Sequence, residues 1–191
     1  ITAGCIKTDI TEETEQYVSE IRINFETDTR VSTAHSSSGL KFAWEDGDVI
    51  EIWEDLNTEA MRKLFTYDAA TQTFKPQSND DKLEIGKKYF VVNTSSWYFI
   101  DVTDGKSSIP MTLKGGSGIN NVPMISDVFE ATAENTIATM HHTVGVVEIP
   151  VKASADGKQL QLVGLDSKAA NQALRGDFNI TPEAPYTLTS T

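Results

Sequence analysis

The sequence is poor in cysteine, in basic residues and in long apolar runs. One cysteine stands among 191 residues, so the chain can form no internal disulfide bond. No stretch approaches the roughly 20 apolar residues that a membrane-spanning helix needs. Only 16 Lys and Arg stand against 28 Asp and Glu, which gives a net charge of −12. A field of that sign repels phosphate backbones, so nucleic acid is not expected as a partner.

Short alternating segments are what the chain has instead. Apolar residues make up 39% of the sequence, enough for the core of one full domain or of two small ones. Apolar and polar residues alternate with the period of a half-buried strand, and Asp-Gly or Gly-Gly pairs separate the segments. Strands are predicted at 21–25, 40–44, 50–52, 64–66, 89–93, 97–102, 136–140, 144–151, 160–165, 178–180 and 186–190. This pattern predicts an all-β sandwich or barrel.

Two segments depart from the alternation. Residues 6–18 are polar and acidic, which predicts a tether before a sandwich domain that spans 19–191. Residues 103–123 are rich in Gly, Ser, Asn and Pro, which predicts a long surface loop.

The stretch LKFAWEDGDVIEIW, residues 40–53, predicts a hairpin with a tryptophan on either side of an acidic turn. Asp46-Gly47 supplies the positive φ that a two-residue hairpin loop needs, and Asp48 helps to keep the turn solvated. Trp44 and Trp53 are then expected to lie near each other across the strand pair. This reading of Trp44, Gly47, Asp48 and Trp53 is structural and requires no reaction.

The same stretch resembles the W-x-x-G-D-x-I-x-V hairpin of the fimbrillin-like proteins of the Bacteroidetes. Other motifs of that family are matched in the same order along the chain. They are DTR at 28–30, GKKYFVVNTSS at 86–96, NNVPMISDV at 120–128, MHHTVGVVEIPV at 140–151 and LRGDFNI at 174–180. The chain departs from the family at Asn93, where a proline is usual, and at Met140-His141-His142, where Phe-Lys-Asn is usual.

The resemblance implies a transthyretin-like (Greek-key) β-sandwich of about seven or more strands, the N-terminal of two domains, so that a second domain is expected after Thr191. It implies a stalk, tip or anchor subunit of surface fimbriae, with other fimbrial subunits as partners and adhesion to a host protein or glycan as the outcome. It further implies export to the outer membrane as a lipoprotein, with the membrane reached only through a lipid anchor. The small residues before Cys5 in ITAGC resemble the end of a lipoprotein signal, so Cys5 is the expected lipidation site.

In polymerising members of that family, an arginine-specific protease removes the first strand, and a strand of the next subunit fills the groove. Strand exchange of this kind is physically reasonable, because an edge strand carries unpaired backbone groups that must be covered or paired. The removable strand is predicted at residues 19–25, with Ile21, Ile23 and Phe25 on one face. Arg22 and Arg30 are the candidate cleavage points, and cleavage at Arg30 would release that strand whole.

Other functions stay open at this point. A carbohydrate- or host-protein-binding module could use Trp53 with Trp97-Tyr98 as a stacking platform, although neighbouring residues of a strand face opposite ways. Paired carboxylates such as Glu45 and Asp48 invite a glycosidase reading, but acids are abundant and no elbow motif for a nucleophilic serine is present. No cofactor or metal is expected, and the chain is not expected to be an enzyme.

Overall fold

The structure is a computed structural model that describes residues 16–25, 43–93, 100–113, 123–143, 176–184, 186 and 189–190. These residues form fourteen strands and one 3₁₀ turn, with no α-helix among them, so the all-β prediction is confirmed. The first seven strands are β1 Tyr17–Val18, β2 Arg22–Phe25, β3 Val49–Glu54, β4 Lys63–Asp68, β5 Thr73–Pro76, β6 Leu83–Glu84 and β7 Lys88–Asn93. The others are β8 Asp101–Thr103, β9 Lys106–Leu113, β10 Met124–Ser126, β11 Phe129–Glu130, β12 Ile137–His142, β13 Gly176–Ile180 and β14 Thr189–Ser190. The 3₁₀ turn covers Asn79–Asp81.

Three sheets organise these strands. The largest has eight strands in the order β2-β12-β10-β7-β3-β4-β5, with β11 beside β7. A four-stranded sheet has the order β14-β13-β9-β8, and β1 pairs with β6. Almost all pairs are antiparallel, but β2 runs parallel to β12. A single bridge between Ile21 and Phe74 links the two ends of the large sheet, which therefore nearly closes on itself.

Strand β7 is buried on both faces, and the core accordingly consists of two clusters of side chains. Its residues 89–92 read YFVV and are all fully buried. Since successive side chains of a strand point to opposite faces, an unbroken buried run means that both faces are covered. Tyr89 and Val91 belong to one core cluster, whereas Phe90 and Val92 belong to another.

The two clusters correspond to the two sides of the large sheet. The first is built by side chains of the large sheet and of β1 and β6, among them Ile50, Phe65, Phe74 and Met140. The second also takes Ile109 from β9 and Phe178 and Ile180 from β13. The four-stranded sheet therefore covers the outer side of the large one, as the layers of a sandwich do.

The predicted surface loop at 103–123 is wrong over its first half. Residues 106–113 form β9, which pairs with β8 on one side and β13 on the other. The serines and the proline of this stretch are typical of a loop and concealed the strand, although Ile109 is buried. The Asp104-Gly105 turn is present, and both residues have the positive φ, 54° and 73°, that a two-residue hairpin loop favours.

The last two residues of the predicted tether form a strand instead. Tyr17 and Val18 pair with Glu84 and Leu83, and Val18 is buried in the first cluster. The few apolar side chains in this acidic stretch gave too little periodic signal to separate a short strand from a tether. None of the described residues forms a helix long and apolar enough to cross a membrane.

The predicted tryptophan pair is wrong as well. Asp46-Gly47 does turn the chain, with the Asp48 backbone N–H donating to the Glu45 carbonyl at 3.0 Å. However, β3 pairs with β4 and β7, and residues 43–45 belong to no strand. Trp44 packs against the first cluster and Trp53 lies in the second, so the sheet separates the two rings.

We expect Gly47→Ala to lower the free energy of unfolding by about 1–2 kcal/mol, the cost of a Cβ in left-handed backbone. Gly47 has a φ of +90°, and a Cβ built there would meet no atom within 4 Å. The loss would therefore come from the backbone alone. Gly47→Asn is the control and should lose less, because Asn tolerates this region. Urea unfolding measures both, and equal losses for Ala and Asn would contradict this reading.

Candidate functional site at the closing segment

Residues 21–25, here called the closing segment, complete the large sheet. Ile21 is 1% exposed, and Ile23 and Phe25 pack against the first cluster. Arg22 and Asn24 alternate with them and are exposed. The predicted one-sided face of Ile21, Ile23 and Phe25 is therefore present, and it covers one side of the first cluster.

The closing segment is held differently on its two sides. Towards β12 it has four register partners, with Ile23 opposite Ala138 and Asn24 opposite Thr139. Towards β5 it makes one reciprocal pair of hydrogen bonds, in which the Ile21 N–H donates to the Phe74 carbonyl at 3.0 Å and the Phe74 N–H donates to the Ile21 carbonyl at 2.8 Å. Beyond Ile21 no pairing with β5 is seen in the described part of the chain.

An aromatic cavity lies where the closing segment and β5 separate. Its volume is about 500 Å³, and Ile23, Phe25, Trp44, Tyr67, Gln72 and Phe74 are among the residues that line it. The rings of Phe25 and Trp44 stack at 5.3 Å, and those of Trp44 and Phe74 meet edge to face at 4.9 Å. The Trp44 Nε1–H is buried and has no hydrogen-bond partner among the described residues.

Cleavage at Arg22 is geometrically disfavoured in the closed state. Its side chain is exposed, but its backbone lies within β2, and its N–H donates to the Thr136 carbonyl at 3.0 Å. Proteolysis concentrates at exposed loop tips and not in paired strands, so β2 would first have to open locally. Cys5 and Arg30 lie outside the described residues.

A polar cluster of Asp127, His141 and Tyr186 joins the large sheet to the four-stranded sheet. The Nε2 atom of His141 on β12 lies 3.0 Å from a carboxylate oxygen of Asp127, and the Tyr186 hydroxyl donates to the other oxygen of that carboxylate. The His141 and Tyr186 rings stack at 3.9 Å with planes 6° apart. Tyr186 follows β13, so the cluster fastens the chain leading to β14 onto the large sheet. Among the described residues, no three His, Cys, Asp or Glu side chains converge as a metal site would need.

Glu51 is the most buried carboxylate among the described residues. Its side chain is 9% exposed and lies 3.0 Å from the guanidinium of Arg62. Burial raises the pKa of Glu51, while the Arg62 charge and hydrogen bond act in the opposite direction. The Glu51–Arg62 contact is a partly buried ion pair that joins β3 to the chain just before β4.

We expect His142 to make the stability of the fold depend on pH. Burial lowers the pKa of His142 below its ordinary value of 6.5. The unfolded chain therefore takes up this proton first, so stability should fall as the pH drops below about 6.5 and level off below the folded-state pKa. The slope for one proton cannot exceed about 1.4 kcal/mol per pH unit.

The test compares the parent chain with His142→Gln. We expect His142→Gln to gain stability relative to the parent chain as the pH falls from about 7.5 to 5.5. Urea unfolding at each pH measures it. A difference that stays constant over this range would show that His142 is not the group responsible.

The positions of some of these site residues were predictable from the sequence, and those of others were not. The face of the closing segment followed from alternation, but its bridge to Phe74 joins residues 53 positions apart and left no local signal. Trp53 is 4% exposed, so it cannot serve in the predicted sugar-stacking platform, while Trp97 and Tyr98 lie outside the described residues.

Comparison with protein-family models, with curated proteins and with solved structures finds no match to this chain.

Proposed function

We propose that this chain is a structural subunit of bacterial surface fimbriae that assembles by β-strand addition and serves adhesion, in the stalk, the tip or the anchor. The proposal rests on the sequence motifs that resemble fimbrillin-like proteins and on the all-β sandwich. A non-enzymatic role is part of it.

The closing segment is the observation that carries the proposal. It is the terminal strand of the sheet path, it is held on one side by β12, and on the other side it touches β5 at a single bridge. If the closing segment left the sheet, the edge of β12 would be unpaired, and the part of the first cluster that Ile21 covers would be exposed. A strand from another subunit could restore both the backbone hydrogen bonds and the apolar contacts.

The direct test is treatment of the full chain with an arginine-specific protease. We expect cleavage after Arg30 to be followed by growth of high-mass species, measured by light scattering and electron microscopy. Arg30→Ala is the matched variant and should remain monomeric under the same treatment. A cleaved chain that stays monomeric would contradict assembly by strand addition.

The alternative function is a monomeric surface module that binds carbohydrate or a host protein. A cavity of about 330 Å³, bounded by residues 17–22 and by the turn 132–136, favours this alternative specifically. The two functions separate on whether the trimmed chain polymerises or stays monomeric.

A further inference from the structure

A second cavity lies beside the N-terminal end of the closing segment. It has a volume of about 330 Å³ and is bounded by residues 17–22 and by the turn 132–136, with Thr73 also in its lining. This volume falls at the small end of the range of small-molecule sites in proteins. We call it the polar cavity.

The walls of the polar cavity are held by their own hydrogen bonds. Arg22 is joined through its N–H to the Thr136 carbonyl at 3.0 Å. Within the turn, the Thr136 hydroxyl donates to the Thr132 carbonyl at 3.0 Å and accepts from the Thr132 N–H at 3.1 Å. The backbone around the cavity is therefore held in place, which limits the conformational entropy that it loses when a ligand binds.

Side chains of mixed polarity line the polar cavity. Glu20 and Glu134 supply carboxylate acceptors, Arg22 supplies a guanidinium donor, and the Asn135 amide supplies both kinds of group. All four residues are exposed, and the Glu20 carboxylate is steadied by the buried Thr73 hydroxyl at 3.4 Å. Tyr17 adds an aromatic ring that is 48% exposed.

The chemistry of this lining selects one class of ligand. Two carboxylates against one guanidinium disfavour a phosphate or another anion, because like charges repel. No metal-binding group of three or more His, Cys, Asp or Glu occurs in the part of the chain that the structure describes. A neutral polyol suits the lining, since each hydroxyl can both donate to a carboxylate and accept from a guanidinium or amide.

We propose that the polar cavity binds a neutral saccharide of one or two units. Its hydroxyls donate to Glu20 and Glu134 and accept from Arg22 and Asn135, and its C–H face packs on the Tyr17 ring. The inference goes beyond fimbrial assembly and does not depend on it, because binding is measured on the intact monomer. Since residues 17–22 form one wall, a chain that has lost its closing segment should no longer bind.

The test is a titration of the ¹⁵N-labelled full chain with the methyl glycosides of galactose, mannose, glucose and N-acetylglucosamine. We expect at least one of them to shift the amide signals of residues 17–22 and 132–136 saturably at about millimolar concentration. Glu20→Gln and Asn135→Gly should each weaken binding roughly tenfold or more, the effect of losing one hydrogen bond to a charged group or one well-placed amide. Glycine at 135 keeps the positive φ of 54° that Asn135 has, so the turn is preserved.

Glu59→Gln is the matched control, because Glu59 is exposed and does not line the cavity. It should bind like the parent chain. The proposal is overturned if none of the four glycosides shifts these amides, if the shifts map elsewhere, or if both Glu20→Gln and Asn135→Gly bind as the parent does. Failure of this titration leaves the protease test of fimbrial assembly unaffected, so the two ideas stand or fall separately.

Discussion

Phe74→Ala should lower the free energy of unfolding by about 3–5 kcal/mol, the usual loss when a fully buried phenylalanine is truncated. The Phe74 side chain is 1% exposed and belongs to the first core cluster. Its ring contacts those of Trp44 and Tyr67, at 4.9 and 5.1 Å between centroids. The variant keeps the backbone bonds to Ile21, so the loss would arise from packing at the place where the sheet closes.

Hydrogen exchange makes this prediction specific to the closing segment. Amides of residues 21–25 should exchange faster in Phe74→Ala by more than global destabilisation requires, because the ring belongs to the residue that bridges Ile21 to β5. Phe129→Ala is the matched control, since Phe129 is half-buried and packs against the same cluster from β11. Urea unfolding gives the stability of both variants. A loss below about 1.5 kcal/mol for Phe74→Ala would contradict the central role given to this ring.

A disulfide between β2 and β12 should abolish assembly. Asn24 and Thr139 are register partners, and both have side chains that are not part of the core. Adjacent strands lie about 4.8 Å apart, within the Cα separation that a disulfide accepts. In a chain with Cys5→Ser, the pair Asn24→Cys and Thr139→Cys should stay monomeric after protease treatment when oxidised. It should polymerise when reduced, because only then can the closing segment leave.

The control is a disulfide elsewhere in the same sheet. Val49 and Thr66 are register partners in β3 and β4, away from the closing segment, and neither belongs to the core. Val49→Cys with Thr66→Cys should polymerise whether oxidised or reduced. Light scattering after protease treatment measures all four states. If the oxidised Asn24–Thr139 pair assembled as fast as its reduced form, strand exchange at β2 would be ruled out.

Both experiments concern a strand that alternation predicted from the sequence. Ile21, Ile23 and Phe25 were expected on one face, and the structure puts them against the first cluster. Strands at β3, β7, β12 and β13 likewise followed from local apolar patterns. These elements carry their signal within a few residues, since the period of a strand is two.

Other features of the fold were not predictable from local apolar alternation. β9 contributes Ile109 to the second cluster and pairs on one side with β13, which lies more than 60 residues further along the sequence. Trp44 and Trp53 read as neighbours because a turn separates them, yet β3 takes β4 and β7 as partners instead. A turn fixes the direction of the chain, whereas strand partners are chosen by which faces can be buried together.

By itself, the sequence determined that this protein is built from β-strands, which turns separate them, and which face of the closing segment is apolar. These properties are local, because they follow from side-chain alternation and from the backbone freedom of glycine. Only the tertiary structure decided that the large sheet is buried on both faces, that Ile21 meets Phe74, and that a polar cavity forms between residues 17–22 and the turn at 132–136. Those properties depend on pairing between residues far apart in the chain, which is selected by the total apolar area buried and not by any short stretch of sequence.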